Sequence, residues 1–160
     1  MATLAYLSLG SNVGDREAQL RDAQARIGST CRVVAASSFY ETEPVEFTAQ
    51  AWFLNCAVAL ATEKTPPQLL AGILHIEQQL GRRRGEKKGP RIIDLDILLV
   101  GNSIVDDPGL TIPHQAMHER RFVLEPLAEI APDAFHPVLQ RTIRELRDAL
   151  PPGPEVRKTS

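Results

Sequence analysis

Residues 82 to 100 join two stretches of opposite character, and together they limit what the chain can become. Arg82-Arg-Arg-Gly-Glu-Lys-Lys-Gly-Pro-Arg91 carries six cations against one acid, a local net charge of +5. Ile92-Ile-Asp-Leu-Asp-Ile-Leu-Leu-Val100 is apolar except at Asp94 and Asp96 and reads as a buried strand. Side chains two apart in a strand share a face, so both carboxylates stand together, roughly 7 Å apart by the strand rise. Unpaired, the two acids repel and lose hydration. A divalent cation removes both costs, and a basic loop beside metal-binding carboxylates suits chemistry on a polyphosphate. The bland alternatives are structural ion pairs with the loop arginines and an ordinary solvated loop. The adjacency of the two features favours the polyphosphate reading.

The stretches before this block supply a frame for it. Residues 4–9 predict a first strand. Gly10-Ser-Asn-Val-Gly-Asp15 is a turn into a helix capped by Asp15, with Leu20, Ala23 and Ile27 inward and Gly28 as its C-terminal cap. Neither glycine-rich phosphate fingerprint occurs in the chain, so phosphates must be held by side chains and metal. Residues 31–40 predict a second strand and 53–61 a third. In the third, Leu54, Cys56, Val58 and Leu60 face the core, while Phe53 and Asn55 share the other face. An aromatic beside an amide suits a flat heteroaromatic ligand, and equally a capped strand end. Thr65-Pro-Pro67 opens a second helix. Glu77, near its C-terminal end, is disfavoured by the helix dipole and needs compensation, for which the loop arginines are available.

After the Asp strand come a short strand over 103–105, Asp106 and Asp107 as turn formers, and an extended segment over 110–113. His114 follows in a polar setting, six positions before Arg120. A helix over 122–130 and a last one opened by the Thr142/Glu145 capping box complete the pattern. The order β-α-β-β-α-β with an α-rich end predicts an α+β fold with a ferredoxin-like, split β-α-β antiparallel sheet. Helices are expected on one face and the active site under loops on the other. Residues 1–150 read as one domain, and the Pro/Gly-rich 151–160 as a disordered tail.

A net charge of −2 supplies no global field for nucleic acid or an anionic membrane, so the local positive charge fits a small anionic ligand. Cys31 and Cys56 lack metal-ligand spacing and read as buried thiols of a reducing compartment. No basic, apolar leader and no membrane-length apolar run occur, so a soluble cytoplasmic protein is expected. A monomer is expected as well.

Five markers in order closely resemble the 6-hydroxymethyl-7,8-dihydropterin pyrophosphokinase family of folate biosynthesis. They are Tyr6-Leu-Ser-Leu-Gly-Ser-Asn12, Ser38-Phe-Tyr-Glu-Thr42, Phe53-Leu-Asn55, Gly89-Pro-Arg-Ile-Ile-Asp-Leu-Asp-Ile97, and Ile112-Pro-His114 with Arg120 and Phe122. The resemblance covers residues 4 to 140. It implies transfer of the β,γ-diphosphate of ATP to a pterin's primary alcohol, with attack at the β-phosphorus and AMP as the leaving group. Two Mg2+ ions are implied, held by Asp94 and Asp96, with ATP as co-substrate. Arg82 and Arg91 are implied as a phosphate clamp, facing His114 and Arg120. Arg84, Lys87 and Lys88 add charge on a closing loop. The resemblance also implies Glu77, Ile97 and Thr111 at the nucleotide. It implies Thr42, Val45, Phe53, Asn55, Asp94 and Phe122 at the pterin. Arg82, Arg91, Asp94, Asp96 and His114 are the implied catalytic set. Two departures stand out: a basic loop about one residue shorter than in some members, lacking an aromatic near Lys88, and Glu43 where some members have Pro.

Two other readings compete with diphosphate transfer. A non-catalytic, RNA-binding ferredoxin-like module would carry interleaved aromatics and an overall basic charge, which this chain lacks. A metal-dependent nucleotidyltransferase also uses paired carboxylates on a sheet, and would release pyrophosphate rather than AMP.

Overall fold

A computed structural model of the chain describes residues 2–43, 51–81 and 93–159. Ten strands and four helices alternate in it. In chain order they are β1 (Thr3–Ser11), α1 (Arg16–Gly28), β2 (Arg32–Ala36), β3 (Tyr40–Thr42), β4 (Phe53–Thr62), α2 (Pro66–Gln79) and β5 (Asp94–Val100). There follow β6 (Val105–Asp107), β7 (Leu110–Ile112), a 3-10 turn (Met117–Glu119), α3 (Arg121–Ile130), β8 (Phe135–His136), β9 (Arg141–Thr142), α4 (Ile143–Asp148) and β10 (Val156–Lys158). The main sheet runs β10-β3-β4-β1-β5, with β2 also paired to β4. All of these pairings are antiparallel.

Local chemistry explains the helix starts. Asp15 accepts a hydrogen bond from the Ala18 amide, and Thr65 closes a capping box with Gln68, followed by proline in the first turn. Thr142 and Glu145 close a second such box at α4. Gly28 does not cap α1: it is the last helical residue, and Ser29 takes the cap. Gly81, at φ +92, follows α2 in the left-handed region that glycine enters without strain.

The sheet has a core on each side, which corrects the expectation of helices on one face only. Leu7 and Leu9 of β1, Cys56, Val58 and Leu60 of β4, and Leu95 and Ile97 of β5 pack against α1 and α2. Tyr6, Ala57, Leu98 and Leu99 point the other way, against α3 and α4. A bulge makes this second core possible. Leu7 pairs with Ile97 and Tyr6 with Leu99, so Leu98 is the extra residue and two successive leucines reach one face. Burying side chains such as Leu124 and Leu127, both fully covered, contributes about 2 kcal/mol each.

Three further expectations change. The single strand over 31–40 is two strands, β2 and β3, both on β4. Asp106 and Asp107 lie in β6 rather than in the turn. The tail is not disordered over its described length: Val156, Arg157 and Lys158 pair with Thr42, Glu41 and Tyr40. The reason is long-range pairing to β3, whose outer edge takes no other strand among the described residues.

Candidate active site

The sheet's registers gather the sequence-marked residues. One cross-strand row on the α3 face runs Tyr40–Asn55–Gly10–Asp94. The row on one side pairs Thr42 with Phe53, and that on the other runs Ala57–Ser8–Asp96. Helix α3 covers the Ala57 and Leu99 end of this face. Asp94, Asp96 and Phe53 are half-buried at the other end.

Gly10 is required by the close approach of its neighbours. A Cβ there would stand 2.6 Å from Asn55 Nδ2 and 3.6 Å from Phe53 Cδ1. Asn55 is itself buried and held by its own face. Thr42 Oγ1 donates to Asn55 Oδ1 at 2.7 Å, and Asn55 Nδ2 reaches the Leu9 carbonyl at 3.5 Å. A carbonyl can only accept, so the Leu9 contact fixes which end of the carboxamide is nitrogen, and its NH2 edge lies on the Gly10 side.

Two contacts position the carboxylates. Glu77 is 1% exposed, and its Oε2 accepts the Leu95 amide at 2.8 Å. It therefore ties the end of α2 to β5 between the two aspartates; the loop arginines expected to compensate Glu77 lie outside the described residues. The bulged Leu98 carbonyl accepts the His114 amide at 3.0 Å, which brings His114 over β5. His114 Nδ1 accepts the Ala116 amide at 3.1 Å, so in the neutral ring the proton sits on Nε2. That nitrogen is 4.0 Å from Asp96 Oδ1. Burial and the nearby Arg120 charge lower the His114 pKa, against an opposing pull from Asp94. The lowered pKa favours the neutral ring, whose Nε2–H is then a donor.

Arg120 and Phe122 flank the start of α3, with the guanidinium carbon 5.5 Å from the ring centroid. Behind them Glu129 anchors the helix to the sheet. It accepts Tyr40 Oη at 2.7 Å and the Ser38 amide at 3.0 Å. Burial pushes the Glu129 carboxyl up, but the bonds from Tyr40 and Ser38 outweigh it and hold it below its ordinary value. The same bond and burial push the Tyr40 hydroxyl far up.

Thr42, Phe53, Asn55, Asp94, Asp96, His114, Arg120 and Phe122 thus come from β3, β4, β5 and the segment leading into α3. Thr111 is exposed on β7 and lines a cleft with His114. Ile97 points into the core on the α1/α2 side, so only its backbone is available to a ligand on the aspartate face. Val45, Arg82, Arg84, Lys87, Lys88 and Arg91 lie outside the described residues. Gly10 and Ser8 are site residues that the expectations from sequence do not include. The alternation of Leu7 and Leu9 with Ser8 and Gly10 was the available signal.

No group of three or more His, Cys, Asp or Glu side chains converges on a common point among the described residues. Two carboxylates on one face still suit divalent cations whose remaining ligands are phosphate oxygens and water. None of the described helices is long and apolar enough to cross a membrane.

A model of the family 7,8-dihydro-6-hydroxymethylpterin-pyrophosphokinase matches residues 6–132. The chain is 49% identical over 153 residues to the 2-amino-4-hydroxy-6-hydroxymethyldihydropteridine pyrophosphokinase of Methylorubrum extorquens, covering 94% of this chain and 96% of that one. The Bacillus subtilis protein of the same description is 48% identical over 132 residues, 81% of this chain and 79% of its own. Among solved structures, a Plasmodium falciparum HPPK-DHPS triple mutant with SDX-DHP superposes at a TM-score of 0.75 and 19% identity. The match covers 92% of this chain and 44% of that longer one, and carries the fold alone.

Proposed function

The chain belongs to the 7,8-dihydro-6-hydroxymethylpterin-pyrophosphokinase family, and from that premise we infer both its reaction and the residues that carry it. It is a folate-pathway enzyme that transfers diphosphate from ATP to the hydroxymethyl group of 6-hydroxymethyl-7,8-dihydropterin. The alcohol oxygen bonds to the β-phosphorus as the bond from that phosphorus to the α,β-bridging oxygen breaks. AMP leaves with the bridging oxygen, and the hydroxyl proton passes to solvent.

The observation that supports the residue assignment most is the row Asn55–Gly10–Asp94, which sets an amide for a heterocycle's edge beside a carboxylate for the reacting end. Phe53 and Phe122 are the apolar walls for the flat ring, and Asn55, oriented by Thr42, is its hydrogen-bonding partner. Backbone groups near Thr42 and Val45 complete that edge. Asp94 and Asp96 would hold two Mg2+ ions, which when bound neutralise phosphate charge and orient the chain of phosphates. The neutral His114 donates Nε2–H to a phosphate oxygen, and Arg120 adds charge from the same side. Arg82 and Arg91 are the proposed phosphate clamp, and Arg84, Lys87 and Lys88 would add positive charge to it. Glu77 holds β5 in place, with Ile97 and Thr111 at the nucleotide.

The strand order supports the ferredoxin-like, split β-α-β description, since β4 lies between β1 and the β2/β3 pair. The shared sheet between the two cores supports one domain extending beyond residue 150.

Incubation with ATP, Mg2+ and the pterin is expected to yield AMP with neither free phosphate nor pyrophosphate. Release of pyrophosphate would favour nucleotidyl transfer instead. Phe122→Ala is expected to raise the pterin Kd about fivefold to tenfold, the loss of one aromatic wall, while ATP still binds. Equal losses for both ligands would contradict stacking. Arg82→Ala is expected to lower kcat by about 100-fold with little change in ATP affinity. A change confined to the ATP Kd would assign Arg82 to ground-state binding.

A further inference from the structure

The C-terminal residues, Pro/Gly-rich in sequence, hold a specific part of the sheet. Strand β10 pairs with β3, which places Val156 opposite Thr42. Just before it, the Glu155 carbonyl accepts the Glu43 amide at 3.0 Å, and the Glu155 amide donates to Glu43 Oε1 at 3.1 Å. Arg157 lies over the Trp52 ring at 4.8 Å and 3.8 Å from Glu41. Thr159 donates to the Phe39 carbonyl from its amide at 2.9 Å and its hydroxyl at 3.0 Å. At the tail's origin, Arg121 Nη2 reaches the Leu150 and Pro151 carbonyls at 3.4 and 3.5 Å. The tail thus grips the chain at both Glu43 and Trp52, immediately before and shortly after residues 44–50.

These contacts converge on the wall of the candidate pterin subsite. Pro154 and Val156 line a cleft of about 180 Å³ together with Thr42, Arg120 and Phe122. Thr42 is 3% exposed, and its hydroxyl is what orients the Asn55 carboxamide. Strand β3 is three residues long. With β4 as its sole neighbour, so short an edge strand opens readily. An opening of β3 turns Thr42 away and frees Asn55 to rotate.

We propose that the C-terminal strand is a positioning element of the pterin subsite, holding Thr42 in register so that Thr42 aims the Asn55 amide. The proposal rests on the reading of Asn55 as a pterin contact. A merely structural tail would affect both substrates alike, whereas a positioning tail acts on one.

The test compares the full chain with three variants: Glu43→Ala/Arg157→Ala, a chain ending at Gly153, and Asn55→Ala. Pterin KM, kcat and the Kd of an unreactive ATP analogue are measured for each. The double variant loses the Glu43–Glu155 side-chain hydrogen bond, the cation–π contact and the Arg157 ion pairs with Glu41 and Glu155, and is expected to raise the pterin KM about fivefold. The shortened chain is expected to raise it about tenfold or more. In both, the analogue's Kd stays within about twofold, and Arg157→Lys on the Glu43→Ala background recovers part of the loss. A pterin KM within twofold of the full chain in the double variant would overturn the proposal, as would equal losses for pterin and nucleotide. The double variant decides should the shortened chain fail to fold. Asn55→Ala separates the two layers. If it leaves the pterin KM unchanged, the subsite reading itself falls; if it raises the KM while the tail variants do not, only the tail's role falls.

Discussion

Asp96→Asn is expected to lower kcat about 10³-fold or more while the fold and the melting temperature stay close to those of the parent. The expectation follows from where Asp96 stands. It pairs with Ser8 on the half-open part of the sheet, 38% exposed at the side chain, so its carboxylate is not part of either apolar core. An amide of the same shape keeps the packing but loses the charge. The reaction concentrates negative charge on transferring phosphate oxygens, and electrostatic help there is worth several kcal/mol. His114 Nε2–H, 4.0 Å away, remains as a donor but supplies no compensating anion for a cation. Single-turnover measurements with saturating ATP and Mg2+ check this directly. Activity within tenfold of the parent would remove Asp96 from the chemistry.

Gly10→Ala is expected to raise the pterin KM at least about tenfold while ATP affinity changes little. The methyl group would arrive 2.6 Å from Asn55 Nδ2, inside any normal contact. Asn55 cannot step aside without breaking its 2.7 Å bond from the buried Thr42 hydroxyl. The substitution therefore costs either that bond, about 1 kcal/mol or more when buried, or the carboxamide's orientation toward the ring. Steady-state kinetics with each substrate varied in turn separate the outcomes. An unchanged pterin KM would mean that Asn55 moves freely and does not define the subsite.

Both predictions draw on features legible in the sequence to different degrees. The alternation in Phe53–Thr62 showed that Asn55 and Phe53 share a face, and the two-residue spacing of Asp94 and Asp96 placed them together. Period-two patterns carry that information without any tertiary contact. What brings these strands into one row is register, and register depends on partners far away in the chain. Gly10 was visible only as a turn residue because nothing local reveals that Asn55 lies opposite it. From sequence, Glu77 is a dipole-disfavoured anion in need of cations. Its bond to the Leu95 amide spans 18 residues and no helical rule anticipates it.

The same limit explains the errors of architecture. The apolar stripe of α3 shows that the helix is buried on one side, not which face of the sheet receives it. The Leu98 bulge that prepares the second core leaves no mark in a run of apolar residues. Ser37 and Ser38 break the expected second strand through specific bonds, Ser37 Oγ from the Ala57 amide at 2.9 Å and Ser38 to Glu129, 91 residues away. The tail's prolines signal low intrinsic order, and its strand forms because β3 offers a partner.

A crystal structure with Mg2+, an unreactive ATP analogue and the pterin tests the central claim most directly. The account predicts cations bridging the Asp94 and Asp96 carboxylates to the triphosphate, with the pterin's edge on Asn55 and its hydroxymethyl group toward the β-phosphorus. Carboxylates paired to arginine guanidinium groups with no cation between them and the nucleotide would contradict it.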